Sequence, residues 1–133
     1  LNKAKDFEKK LKRAQATAMT PAAWMKKRMT EEHWYESTFE DRTGLDKMNY
    51  SRVQGGVHNF TLRPLVAMGV GLGLDLNEME EVLRLGGMSF KPGDKEQEAY
   101  KFLFTAFYGQ DIDTCNDFLR EINVTRLGTR QKL

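Results

Sequence analysis

The 133-residue chain holds one cysteine, Cys115, and so can close no internal disulfide. A reducing cytoplasm is the expected setting. Cys115 falls among apolar helical positions with no His or Asp/Glu near it in a catalytic pattern, which predicts a core residue rather than a nucleophile. The two histidines, His33 and His58, are far apart and have no ligand-like neighbours, so no metal site is expected. No run of 18 or more apolar residues exists, which predicts no membrane-spanning helix. The N-terminus is charged and lacks the apolar centre of a signal peptide. There is no starting Met, so Leu1 reads as a processing or cloning boundary, or as the start of a piece of a longer protein. The stretch GVGLG at 69–73 lacks the spacing, the preceding strand and the lysine of a phosphate loop. Small residues there instead predict a buried helix closely approached by another. With no serine or cysteine triad and no convincing carboxylate pair, neither an enzyme nor a cofactor is expected.

What the chain does have is enough apolar sequence for a core, 40%, and 30% charged residues, within a length that suits one domain plus a short extension. The charge is uneven. Residues 1–28 hold nine Lys/Arg against two Asp/Glu, net +7, and residues 29–133 hold twelve against seventeen, net −5. A basic arm on a mildly acidic body fits either a solvated helix face or contact with a polyanion or acidic partner.

Hydrophobic spacing is helical throughout, so helices are predicted over at least about two-thirds of the chain, without a sheet. Ala4, Phe7, Leu11, Ala14 and Ala18 form a thin seam on a first helix. Thr20-Pro21 predicts a cap and first turn for a short helix through Trp24, Met25 and Arg28, and Thr30 a cap for another that runs to Thr43. Gly44 stops that helix and Asp46 caps the next, which Gly55-Gly56 ends. Thr61 caps a helix with Pro64 in its first turn. Asp75 with Glu78, and Asp94 with Gln97, predict capping boxes for helices ended by Gly86-Gly87 and by Gly109. A last helix from Asp111 buries Ile112, Cys115, Phe118, Leu119 and Ile122, and the tail from Thr125 is expected to be loose. Shifting by 36 residues sets Gly73 on Gly109, Asp75 on Asp111, Leu83 on Leu119 and Arg84 on Arg120. Residues 61–87 and 97–123 thus read as two helical hairpins of one design, the second packed on the first.

The segment RTGLDKMNYSRVQGG at 42–56 combines a glycine turn with a polar helix. Phe39, Leu45, Tyr50 and Val53 are spaced to form the inner contacts of a helix, tight turn and helix. Lys47, Met48, Ser51 and Arg52 then face outward, with Asn49 to one side, which suits base edges and phosphates of a major groove. FEDRTGLDKMNYSRVQGG followed by TLRPLVAMGVGLGLDL resembles the lambda-repressor-like helix-turn-helix family, of the phage Cro/repressor or XRE type. Phe39 stands at that family's Leu position, Thr43-Gly44-Leu45 is the turn, and Asp46 to Val53 is the recognition helix. The resemblance covers about residues 30–85. It implies that Lys47, Met48 and Arg52 reach base edges, while Asn49, Tyr50, His58 and Asn59 lie nearer the backbone. The hairpin at 94–123 resembles a C-terminal extension of some bacterial members.

The segment also departs from the family. Glu40 replaces a small Ala, Gln54 the usual Glu, and Glu36 a polar phosphate-binding residue. The predicted helix 30–43 is about five residues too long. Residues 30–56 carry three basic and six acidic side chains, a poor match to a polyanion by themselves. Either the arm supplies the phosphate contacts, or a homodimer adds a second half-site, or the fold keeps only an interaction role.

The expected fold is therefore all-α: a lambda-repressor-like helix-turn-helix domain at 29–90, a basic N-terminal helical arm at 1–28, a C-terminal helical hairpin at 91–124 and a loose tail at 125–133. The expected function is a sequence-specific transcriptional regulator of a bacterium or mobile element, binding double-stranded DNA. The alternative is a non-enzymatic protein-interaction or oligomerisation module on a degenerate helix-turn-helix fold.

Overall fold

The computed structural model describes residues 2–128, and among them there are eight helices and no strand. The first, α1 (Lys3–Thr17), starts where the Asn2 side chain accepts from Lys5 N–H, 3.2 Å. The seam of Ala4, Phe7, Leu11 and Ala14 is present, yet nothing from Asn2 to Met19 is buried and Phe7 is 63% exposed. Two alanines and two larger side chains give too little apolar area to hold a helix against the body.

Helix α2 (Pro21–Glu31) opens as expected, with Thr20 Oγ1 accepting from Ala23 N–H and Pro21 at its first position. It does not stop near Arg28. Thr30 lies inside its last turn rather than capping the next helix, and α3 (Glu36–Thr43) is only eight residues long. Between them the chain turns at His33, φ +58°, and Trp34 N–H donates to Met29 O, 3.0 Å. Met29 and Trp34 are both buried. Five residues apart, they would point about 140° away from each other on one continuous helix. The turn lets both enter one core. It also removes the surplus length of the predicted 30–43 helix.

Gly44 ends α3 and Asp46 caps α4 (Lys47–Gly55), as the spacing predicts. Helix α5 (Leu62–Leu72) runs through the centre, with every residue from Leu65 to Val70 buried, and touches α2, α3, α6 and α8. Its glycines lie where neighbours come closest. A Cβ on Gly69 would overlap Met79 Sδ, and one on Gly71 would sit 2.8 Å from Arg42 O. Helix α6 (Leu76–Leu85) has the predicted reciprocal box: Asp75 accepts from Glu78 N–H and Glu78 from Asp75 N–H.

Helix α7 (Lys95–Leu103) is shorter than expected. Its cap is only half of a box, because Gln97 Oε1 accepts from Lys91 N–H, 2.6 Å, instead of from Asp94. After Leu103 the chain continues to Gly109 as turns. This places buried Phe104 against Gly69 and Phe107 on Phe118, ring centres 4.6 Å apart. These six turn residues help keep the helical share just under two-thirds of the described chain. Helix α8 (Ile112–Glu121) repeats α6 at the predicted offset of 36, with the same length and an Asp cap. Its Ile112, Cys115 and Leu119 join a single core that also takes residues from α2 to α7.

The tail is not loose as far as Gly128. Val124 and Leu127 are buried, and Tyr100 Oη donates to Thr125 O, 3.1 Å. Asn116 brackets Leu127, accepting from its N–H at 2.7 Å and donating to its carbonyl at 3.1 Å. Burial of Leu127 and this paired amide fix a segment that has no periodicity to announce it. Residues 129–133, the rest of the predicted loose tail, lie outside the described residues.

Candidate nucleic-acid interface

The candidate site is built on the turn between α3 and α4. Gly44 adopts φ +71°, a left-handed conformation that other residues enter only with strain. Thr43, fully buried, holds the turn from inside: its Oγ1 donates to Phe39 O at 2.6 Å and accepts from Leu45 N–H at 3.1 Å. Leu45 is 2% exposed, and Phe39 and Val53 are fully buried. Half-buried Tyr50 lays its ring on Phe39, centroids 5.3 Å apart. The four inner contacts read from the sequence therefore occur. The Thr43 clasp was not read.

Asp46 accepts from both Asn49 N–H, 3.1 Å, and Asn49 Nδ2, 3.0 Å. Asn49 is thus half-buried and partly engaged in capping its own helix. Lys47, Met48, Ser51 and Arg52 are exposed, with Met48 at 58%. Their spacing puts them on one outward strip of α4, opposite Val53. Gly55 continues the strip with no side chain, and no atom lies within 4 Å of where its Cβ would be. His58 and Asn59 are exposed in the loop past the end of α4, and His58 meets the ring of Phe60 edge-on at 4.6 Å. The predicted site residues therefore form two groups, a helix strip and a loop beyond its C-terminal end.

The arm joins the body at that same end. Thr20 Oγ1 donates to Gly56 O at 2.8 Å, so the start of α2 is latched to the last turn of α4. Residues 36 apart give no local signal for such a bond, although Thr20 itself was legible as a cap.

Several body cations are tied up in packing. Arg28 lies over Trp24, 4.9 Å from the ring centre, and bonds Glu78. That hydrogen bond holds its pKa above the usual arginine range against some desolvation. Arg42 lies over Trp34 at 5.8 Å. Arg63 bonds Glu96 and Tyr100 Oη, again raising the guanidinium pKa. Glu36 and Asp41 are exposed and Glu40 is half-buried, so α3 presents acid beside the basic strip of α4.

A second surface is an open groove of about 460 Å³ beside α7 and α8, floored by Ala99, Phe102, Phe118 and Ile122 and edged by Lys95, Glu98 and Lys101. Cys115 is buried, and desolvation pushes its thiol up to about 11, far from a thiolate at neutral pH. Among the described residues, no three His, Cys, Asp or Glu are grouped to hold a metal ion, and no helix is long and apolar enough to cross a membrane.

No family model matches the chain, and no curated protein or solved structure matches it either.

Proposed function

We propose that this protein is a helix-turn-helix DNA-binding regulator that presents α4 to the major groove, as the lambda-repressor-like resemblance implies. A bacterial or mobile-element origin, a cytoplasmic location, a homodimeric state and a non-catalytic role belong to the same reading. The observation that carries it is the exposed strip Lys47, Met48, Ser51 and Arg52, held on a packed turn and latched through Gly56 to the basic arm. Two long cationic side chains on one helical face can reach guanine edges or phosphates. The arm adds the phosphate neutralisation that the acidic 30–56 segment lacks.

Mobility-shift titration against a random duplex pool, at two salt concentrations, tests this. The expected result is a selected sequence bound better than bulk DNA. Lys47→Ala/Arg52→Ala should keep the fold and lose affinity, about 1–3 kcal/mol for each base contact removed. A parent that binds no duplex above bulk, or a double variant that binds like the parent, overturns the reading.

The second reading is an interaction or oligomerisation module. It is favoured by the acidic flank of α3, by the unburied seam of α1 and by exposed Phe102 in the groove beside α7 and α8. Sedimentation of the full chain, with and without residues 1–20, distinguishes the two.

A further inference from the structure

We infer that two copies of this chain pair by exchanging arms, the apolar seam of α1 in each copy lying in the groove beside α7 and α8 of the other. The inference rests on the self-association common to both readings above and names the surfaces that make it.

The seam has no cover within one copy. Phe7 is 63% exposed and Leu11 40%, and no residue from Asn2 to Met19 is buried. A lone helix of 15 residues is marginal in water, so α1 gains from any surface that covers this stripe.

The groove matches the seam in length and shape. Lys95, Glu98, Ala99 and Phe102 line it and share one face of α7 over two turns, about 10 Å. Phe118 and Ile122, one turn apart on α8, form the other wall. Phe102 rests on Phe118 and Phe107, ring centres 5.5 and 6.1 Å apart, and these contacts fix it while leaving it 45% exposed. Phe7 and Leu11 are also one turn apart, about 6 Å along α1, so both fit within the groove. Large and small positions alternate in the complementary sense. Ala99 leaves room for Phe7 or Leu11, and Ala4 and Ala14 leave room for Phe102.

Charge favours a second copy over other occupants. Helix α1 holds six basic and two acidic side chains, net +4, and residues 91–124 hold four and seven, net −3. At about 100° per residue, Lys3 and Lys10 flank the seam. Exposed Glu98 lines the α7 wall, and exposed Glu121 precedes Ile122 on the α8 wall. An acidic peptide or a nucleic acid would meet the wrong overall sign on this hairpin. Lys5, Lys9, Lys12 and Arg13 fall on the opposite half of α1, so a docked arm still presents them to phosphates.

Seam and groove are uncovered in the same copy, so each copy supplies what the other lacks. Two such contacts about a two-fold axis close on themselves and leave neither surface over. Each contact has only two large side chains on the arm, so the pair should dissociate on dilution.

Sedimentation equilibrium of the full chain, without DNA, should show a monomer–dimer equilibrium. Phe7→Asp/Leu11→Asp should keep the fold, since neither side chain is buried, and should raise the dimer dissociation constant at least about 10-fold. A parent that stays monomeric at the highest concentration overturns the inference together with the oligomerisation reading. A variant that dimerises like the parent overturns the inference alone. Either result leaves DNA binding to the mobility-shift titration.

A second measurement locates the contact. Thr105 is exposed and lines the groove, and Ala14 lies on the seam. Ala14→Cys/Thr105→Cys, mixed with isotope-labelled copies of itself, is treated with a short bismaleimide, with buried Cys115 left unlabelled. Mass spectrometry should find the peptide of residue 14 joined to the peptide of residue 105 from another copy. A link within one copy would place the arm in its own groove and overturn the exchange. Absence of any link between the two positions overturns it as well.

Discussion

Gly71→Ala tests how closely α5 crosses the end of α3, and with it what holds the turn in front of α4. The added Cβ would sit 2.8 Å from Arg42 O, 3.0 Å from Thr43 Cγ2 and 3.1 Å from Arg42 C. Two of those atoms are backbone, and Thr43 is fully buried and bonded on both sides of its hydroxyl. Nothing there can swing aside, so α3 and α5 must separate by a few tenths of an ångström. Overpacking of this kind costs about 1–3 kcal/mol. Against it stands the gain from replacing a helical glycine by alanine, about 1 kcal/mol. The net expectation is a loss of about 0–2 kcal/mol, and the contrast with a site of the same chemistry but open space sharpens it. Gly55→Ala, at the end of α4, meets nothing within 4 Å and should stabilise by up to about 1 kcal/mol. Urea denaturation of both variants, followed by circular dichroism, measures the difference. The two midpoints should move in opposite directions with unchanged m-values. Gly71→Ala as stabilising as Gly55→Ala would refute the close crossing, and with it the account of GVGLG as a packing motif.

Tyr50→Ala should cost about 1–3 kcal/mol, less than a fully buried aromatic, because the ring is half-buried on Phe39; thermal melting checks this, and an unchanged midpoint would show that the ring holds nothing. Removing residues 1–18 takes away six cations and no buried side chain and leaves the Thr20 cap and latch in place, so it should leave the melting temperature nearly unchanged while flattening the salt dependence of DNA binding; a collapse of the fold would show that α1 is part of the body. Burial raises the Tyr100 phenol from 10.0 to about 12 and the Cys115 thiol from 9.0 to about 11, so the unfolded chain loses these protons first. Stability from both groups is present below pH 9 and falls as pH rises from there to about 12. Tyr100→Phe should lose part of that dependence above pH 10; a variant whose stability falls with the parent's slope would assign the alkaline loss elsewhere.

Much of the helical plan was legible because the signals are local. Thr20-Pro21, Asp46, Asp75, Asp94 and Asp111 each accept from, or precede, the first free N–H groups of a helix, and Gly44 supplies a left-handed stop. A cap and its partner lie within three or four residues, so a linear reading finds them. The inner contacts Phe39, Leu45, Tyr50 and Val53 followed from the same short-range geometry, as did the outward strip of α4. The 36-residue echo placed α8 correctly for the same reason: its cap and its apolar spacing repeat those of α6.

Local propensity misled where two distant parts of the chain competed for one residue. Thr30 is a good cap by type, but Met29 and Trp34 both fill the core, so α2 runs past it and the chain turns at His33 instead. Gln97 has the right spacing for a box, yet the loop N–H of Lys91 takes its side chain. The tail looked loose because TRLG has no period, while Asn116 and the open face of Gly44 give Leu127 and Gly128 a seat. The sequence by itself determined an all-helical chain, its caps and the outward strip of α4, since those depend on hydrogen bonds and spacing within one turn of helix. Only the tertiary structure decided that Thr20 latches Gly56, that Gly128 rests on Gly44 and that α1 buries nothing, because each depends on which surfaces meet across the core.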